Sequence, residues 1–361
     1  MHRSVQQGWP GSRLWAAGLV VAAAACLVLT VGPEVVQRRS VVSVAVPFWD
    51  STTALAMVRR HASDLDEVTL WSYEVAAQGQ VVRQPFAADG TTVIPALRAQ
   101  GLRVLGVIAD TVKGRWDPAV VRRLLADPKL RRSHREAVVS FVLDQGLDGV
   151  QLDYENLTES DRTGFSALVT DLAQDLHRHG RLLSVAVHPK IEDRGYDARN
   201  LAQDYAEVGR WADEVVVMAY DWHWPGGDSG PIAPRLWVDQ VLSYSMQHVP
   251  ASKILLGVAQ FGYDWSGVGT DILQWRDVDD RRRRFEARVE RDPVSGCPHF
   301  TYLSQGNLHE VWFEDSRSLQ QKLDLASRHR VAGVAVWRLG GVDPRIWQAL
   351  GRTWVTSGRS S

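Results

Sequence analysis

The sequence predicts an α/β protein, a (β/α)8 TIM barrel with a small α+β insertion between strands seven and eight. Three observations carry this. From Val41 onward, strand-like apolar runs alternate with helix-like amphipathic stretches, giving eight strands each followed by a crossover helix or a substantial insertion. Most runs are continuously aliphatic rather than alternating, as parallel strands covered on both faces require. The chain has 361 residues, enough for a barrel of about 250 residues plus insertions.

The strands in order are Val41–Phe48, Glu67–Tyr73, Leu102–Ile108, Leu147–Asp153, Leu182–Val187, Glu214–Ala219, Ile254–Ala259 and Val331–Trp337. Helical patterns between and after them include Ser133–Gln145, Arg162–His179, Ala202–Trp211, Leu236–His248, Ser318–His329 and Pro344–Leu350. An open doubly wound sheet is the competing arrangement. It normally carries a glycine-rich phosphate turn after its first strand, where this chain has Pro47-Phe48-Trp49-Asp50. Between Val75 and Pro85, Gln78-Gly79-Gln80 separates two short apolar segments and predicts a hairpin. Strands seven and eight are about 70 residues apart, far beyond an ordinary connection. A charged helix over Val278–Arg291 and extended pieces at Phe300–Tyr302 and Glu310–Phe313 make that segment a small subdomain on the rim, at about 260–315. The barrel as a whole spans 41–355.

Residues 1–40 stand apart from this pattern. Arg3 and Arg13 precede an uncharged, mostly apolar run from Leu14 to Gly32, after which Glu34, Arg38 and Arg39 restore polarity. The run is long enough to span a bilayer and longer than the usual apolar core of a signal peptide. No clean small-x-small cleavage site follows it. The expectation is an uncleaved signal anchor, with a cleaved signal peptide second, and in either case a domain working outside the cytoplasmic membrane.

Net charge is -1, which gives no basic surface for nucleic acid. Arg281–Arg284 follow Asp279-Asp280 and read as a solvated helix face. Of the two cysteines, Cys26 lies inside the apolar run, leaving Cys297 as a free thiol with a structural role. Fifteen tryptophans are many for this length, and flat indole faces are what sugar-binding clefts use.

The most informative stretch is Leu147-Asp148-Gly149-Val150-Gln151-Leu152-Asp153-Tyr154-Glu155. Side chains alternate along a strand, so Gln151, Asp153 and Glu155 share one face while Val150, Leu152 and Tyr154 share the other. In a barrel the polar file faces inward at the C-terminal mouth, and Asp148, of the wrong parity, supports the motif from behind. Burying such groups costs several kcal/mol unless they satisfy one another. Glycoside hydrolysis fits: a carboxylic acid near a second carboxylate holds its proton near neutral pH and can pass it to a leaving oxygen. Glu155, nearest the mouth, is the donor and Asp153 its partner. Both lie on one side of a bound sugar, which suits attack by the substrate's own 2-acetamido group. The alternatives are a structural acidic cluster or a metal site. Gln151 is a poor metal ligand and the strand holds no histidine, so no metal or cofactor is expected.

This stretch resembles the Asp-Gly-x-Asp-x-Asp-x-Glu signature of glycoside hydrolase family 18, the chitinase family. Met218-Ala219-Tyr220-Asp221 at the end of strand six resembles the family's Met-x-Tyr-Asp motif, and Trp337 ends strand eight where the family floors its cleavage subsite. The resemblance covers about residues 41–351. It implies Glu155 as general acid/base, Asp153 and Tyr220 on the acetamido group, and substrate contacts from Gln151, Met218, Asp221, Trp337 and Tyr263. Gln151 departs from the pattern, replacing the middle aspartate. That amide, with Phe261-Gly262-Tyr263-Asp264-Trp265 and the stretch from Val311 to Gly341, is similar to the branch of bacterial spore-cortex and cell-wall N-acetylglucosaminidases. The implied substrate is an N-acetylated glycan, peptidoglycan before chitin, and the rival is a glycan-binding barrel that has lost catalysis. Trp71 and Tyr73 either line the cleft or fill core, Trp222, His223 and Trp224 either stack on sugar or pack their loop, and His188 either orients the site or is structural.

Overall fold

The computed structural model describes residues 40–353 except Phe86. The apolar run at 14–32 and Cys26 lie outside the described residues, so the expected anchor does too. Among the described residues no helix is long and apolar enough to cross a membrane.

Eight parallel strands close a barrel: β1 (Val41–Pro47), β2 (Glu67–Val75), β3 (Arg103–Ala109), β4 (Gly149–Asp153), β5 (Leu182–Val187), β6 (Glu214–Val217), β7 (Ile254–Ala259) and β8 (Gly333–Trp337). Hydrogen bonding runs in the order β1, β8, β7, β6, β5, β4, β3, β2, and β2 returns to β1 with Ser43 opposite Glu67 and Pro47 opposite Trp71. Every predicted strand is present, its ends moved by two residues at most. β6 stops at Val217 rather than Ala219 for a local reason. The Ala219 and Tyr220 N–H groups turn back to the carbonyls of Val217 and Met218, each at 2.8 Å, which takes the chain out of the ladder. Gly149 is required where β4 meets β5, because a Cβ there would stand 2.4 Å from the Leu182 carbonyl oxygen.

Helices follow the strands, including Ser51–Arg60 and Gly90–Arg98, which the sequence pattern did not reveal, and Pro128–Asp144, Arg162–Arg178, Tyr205–Trp211, Arg235–His248, Ser316–His329 and Ile346–Thr353. The helix predicted from Ser133 begins at Pro128 because Asp127 caps it, accepting from the Lys129 N–H at 2.7 Å. Between helices and barrel lies the main core. Val150, Leu152 and Tyr154 of the outward file are fully buried in it, each large apolar side chain contributing about 1.5–3 kcal/mol. Tyr154 is also tied by its hydroxyl to His134 Nε2 at 2.7 Å. His134 Nδ1 lies 2.6 Å from the Gly79 carbonyl, so Nδ1 donates and Nε2 accepts. Gly79, at φ 87, turns the predicted hairpin, whose second strand Val81–Arg83 pairs antiparallel with β2.

At the closed end of the barrel, Arg103 reaches Glu214 at 2.7 Å and Glu67 at 3.0 Å, and Ser43 Oγ donates to Glu67 at 2.8 Å. Three ionisable groups thus plug the barrel opposite its mouth.

The long segment between β7 and β8 is the predicted α+β insertion. Strands Gly262–Ser266, Gly269–Leu273, Pro298–Ser304 and Asn307–Phe313, with the short Glu290–Arg291, form one antiparallel sheet. Its helix is Trp275–Arg284, not Val278–Arg291. Gln274 and Asp277 form a capping box that starts it early, and Glu286 at φ 48 ends it. Nor are all four arginines a solvated face, since Arg281 turns inward to Asp264 and Asp271, both at 2.8 Å. Cys297 is a buried free thiol as expected, 3.2 Å from Glu314, which Lys322 holds at 2.8 Å.

Candidate active site

β4 delivers its polar file to the barrel interior as the alternation requires. Gln151 and Asp153 line a hollow of about 430 Å3 with Trp71 from β2, Met218 and Tyr220 beyond β6, and Trp337 from β8. Small interior side chains beneath, including Ser43, Ala45 and Ala186, leave it open. Asp148 faces the other way, accepting the Val104 N–H at 2.9 Å and pairing with Arg98 at 3.2 Å, as its parity predicts.

Asp153 is buried, and Trp71 Nε1 donates to its Oδ2 at 2.8 Å. Its other oxygen, Oδ1, is buried without a partner among the described residues. Burial raises this carboxyl to about 7, opposed by the Trp71 bond and assisted by the charge of Asp110. Gln151 adds no charge to that balance, and its amide lies 3.4 Å from Ser184 Oγ.

Glu155 lies just past the end of β4, half-buried. Its carboxyl is held well above the ordinary range, first by desolvation and then by the charges of Asp153, Asp110 and Asp221, with Arg199 opposing. A carboxyl raised in this way keeps its proton to higher pH than an ordinary glutamate does, which suits a proton donor. Its main chain is gripped from two sides. Asp110, wholly buried at the end of β3, accepts the N–H groups of Glu155 and Asn156 at 3.1 and 2.9 Å. His188 Nε2 lies 2.9 Å from the Glu155 carbonyl. Burial lowers this imidazole to about 4, so it is neutral and donates from Nε2.

Asp221 and Tyr263 belong to a second hollow, about 1070 Å3, that adjoins the first across Trp337 and is walled by the insertion. Tyr263 donates to Asp221 Oδ1 at 2.7 Å. Asp221, at φ 60, bends the chain away from the strand end, and burial raises its carboxyl to about 6 against that hydrogen bond.

The structure therefore gathers Gln151, Asp153, Met218, Tyr220 and Trp337 around one hollow, with Asp221 and Tyr263 beside it; Glu155 lines neither, but its carboxyl is within reach of the charges of Asp153 and Asp221. The open alternatives divide. Trp71 lines the site, whereas Tyr73 packs outside the barrel against Phe141 with ring centres 4.5 Å apart. Trp222 and Trp224 are exposed but line neither hollow, and Trp222 rests on Trp237 at 5.2 Å. His188 orients the Glu155 backbone. The functional residue that sequence reasoning missed is Asp110. Its signal was there: an acidic side chain directly after an apolar strand, at the end of the barrel where sites are built.

Comparison with known proteins gives the family and supports the fold. The chain is 27% identical over 304 residues to the cortical fragment-lytic enzyme of Bacillus subtilis, covering 82% of this chain and 70% of that protein. Among solved structures, a chitinase from Chromobacterium violaceum superposes with a TM-score of 0.81 at 26% identity, covering 88% of this chain and 99% of that one. The spore cortex-lytic enzyme SleL of Bacillus megaterium gives 0.77 at 25% identity, covering 87% and 73%. The sequence profile of glycosyl hydrolases family 18 matches residues 114–341, from the loop after β3 through β8, and the chain belongs to that family of glycoside hydrolases.

Proposed function

We propose that this protein is a retaining N-acetylglucosaminidase that cleaves β-1,4 bonds of peptidoglycan by substrate-assisted catalysis. The observation that carries the reading is Asp153 Oδ1, a carboxylate oxygen that lines the hollow and is buried without a partner among the described residues, with the Glu155 carboxyl near enough for the Asp153 charge to raise it. An unpaired buried acceptor is costly, and one substrate N–H would satisfy it.

In this mechanism Glu155 gives its proton to the glycosidic oxygen. The acetamido oxygen attacks the anomeric carbon, the bond to the leaving sugar breaks, and an oxazolinium ion forms. Asp153 accepts the acetamido N–H and faces the positive charge, held in place by Trp71. Tyr220 donates to the acetamido group as the ring closes, over a floor formed by Trp337 with Met218 and Gln151 beneath. Asp221, steadied by Tyr263, takes a sugar hydroxyl. The Glu155 carboxylate then removes a proton from water, which opens the ring from the face the leaving group left, so configuration is retained. Peptidoglycan is preferred over chitin because the similar cortex-lytic proteins are named for a cell-wall layer. The run Leu14–Gly32 supports a place outside the cytoplasmic membrane, with the segment as tether.

The test compares the full chain with Glu155→Gln on peptidoglycan and chitooligosaccharides, reading products by mass spectrometry. New reducing ends bearing N-acetylglucosamine with the wild type alone are expected. Equal inertness of the two proteins, with both binding the glycan, would overturn the reading in favour of a lectin.

A further inference from the structure

The hollow beside the candidate site is built unlike a surface for neutral sugar alone. It adjoins the catalytic hollow across Trp337, so whatever lies in it is the neighbour of the sugar being cleaved. Two arginines line it, Arg338 directly after β8 and Arg276 in the first turn of the insertion helix. Arg338 lies with its guanidinium 5.3 Å from the centre of the Trp49 ring, which lines the same hollow. Its ion pair with Asp50 spans 3.6 Å, as does that of Arg276 with Asp277. Both distances exceed a hydrogen bond, and Arg338 Nη1 makes one long bond, to the Leu339 carbonyl at 3.5 Å, so these contacts leave other guanidinium donors for a further acceptor. The acids nearby are otherwise engaged: Asp277 accepts the Gln274 N–H at 2.9 Å, Asp50 accepts the Gln274 amide at 3.2 Å, and Asp221 accepts from Tyr263. A second observation points to a ligand independently. Gln260, only 4% exposed, lines the hollow with its Oε1 buried and without a partner among the described residues, an acceptor waiting for a hydroxyl or amide N–H.

We infer that this hollow is a subsite for a sugar bearing a carboxylate, held by Arg276 and Arg338, with its ring on Trp49 and a hydroxyl or amide on Gln260. The inference rests on the proposed function and deepens it. In a polymer alternating N-acetylglucosamine with N-acetylmuramic acid, an N-acetylglucosamine over Trp337 has a muramic sugar on either side. Its 3-oxygen carries a lactyl group, and the carboxylate offered is either that lactyl carboxylate or one on the stem peptide extending it. A guanidinium reads either through paired N–H donors. Chitin has no such group, so the arginines give the enzyme a reason to distinguish the two polymers.

The experiment measures kcat/KM for the full chain and for Arg276→Gln and Arg338→Gln on four substrates. These are an alternating oligomer with free lactyl carboxylates, the same oligomer converted to carboxamides, the same oligomer with stem peptides, and chitotetraose. Wild type is expected to favour a carboxylate-bearing oligomer over the carboxamide by about tenfold, less at high salt. Each variant is expected to bring that ratio towards one. Preference for the first oligomer assigns the lactyl carboxylate, and preference for the third assigns the peptide. A wild-type ratio of one, or variants that lose charged and neutral substrates in equal proportion, would overturn the subsite. In that case continued cleavage of chitotetraose and the carboxamide leaves the N-acetylglucosaminidase reading standing, whereas no cleavage of any of the four removes both. Arg276 is largely exposed, so its variant folds even if loss of the Asp50 pair disturbs Arg338→Gln.

Discussion

Asp110→Asn separates the positioning of Glu155 from its chemistry. The carboxylate of Asp110 accepts two consecutive main-chain N–H groups, at 3.1 Å from Glu155 and 2.9 Å from Asn156. An asparagine of the same shape can accept one of these, but it turns an NH2 towards the other donor. One buried N–H is then unpaired, at a cost of about 1–3 kcal/mol. The segment carrying Glu155 relieves this by moving. A displacement of the acid by about 1 Å lowers the chemical step roughly 100-fold. The substitution also removes a negative charge that raises the carboxyls of Glu155 and Asp153. Both therefore fall. The acid limb of the pH profile, where Asp153 takes up a proton, and the alkaline limb, where Glu155 loses one, move together to lower pH. The assay is kcat and KM on a fluorogenic diacetylchitobioside across pH, with Tm measured alongside. The expected result is a kcat about 100-fold lower with KM little changed, both limbs displaced to lower pH, and a protein still folded. A folded variant with unchanged kcat and unchanged limbs would refute the positioning role. A loss of Tm with both limbs in place would make Asp110 structural only.

Two further substitutions act in other directions. Trp71→Phe keeps a ring against Phe48, whose centre lies 5.9 Å away, but removes the bond that lowers the Asp153 carboxyl from above. The acid limb should then move to higher pH, opposite to Asp110→Asn, and an unmoved limb would count against Asp153 as the group titrating there. Glu67→Gln tests the plug at the closed end of the barrel. Burial, and then the charge of Glu214, raise Glu67 from 4.5 to about 8, so between those values the folded chain holds a proton that the unfolded chain has released. Stability contributed by this group is present below pH 4.5 and lost as pH rises through 8, at a rate of about 1.4 kcal/mol per pH unit at most. The amide carries no such dependence. Wild-type Tm should fall between about pH 5 and 8 by at least about 3 °C more than that of Glu67→Gln, and parallel curves would show that Arg103 keeps the pair ionised throughout.

The barrel was legible because its strands are buried on both faces and so read as unbroken aliphatic runs, each with a boundary that only local hydrogen bonding could adjust. The inward file of β4 was legible for a related reason: polar residues at alternate positions in an apolar strand have no use except inside the mouth. Asp110 escaped because its role is to hold the main chain of a residue 45 positions later, and no spacing in the sequence carries that distance. Trp71 stayed open between cleft and core, since parity alone does not say which aromatic meets the Asp153 oxygen. The insertion helix was misplaced at both ends because its limits depend on the Gln274–Asp277 cap and the left-handed Glu286, while the charged stretch from Glu286 to Arg291 continues the helix-like composition past its end. The second hollow needs the insertion folded against β8, so Arg276 and Arg338, 62 residues apart by their numbering, meet only in three dimensions.

The most direct test of the account follows the anomeric configuration of the first-formed product by proton NMR during hydrolysis of a chitooligosaccharide. With Asp153 and Glu155 on one side of the sugar and the acetamido group as nucleophile, the new reducing end must appear as the β-anomer before mutarotation. Initial release of the α-anomer would contradict substrate assistance at this pair of carboxyls.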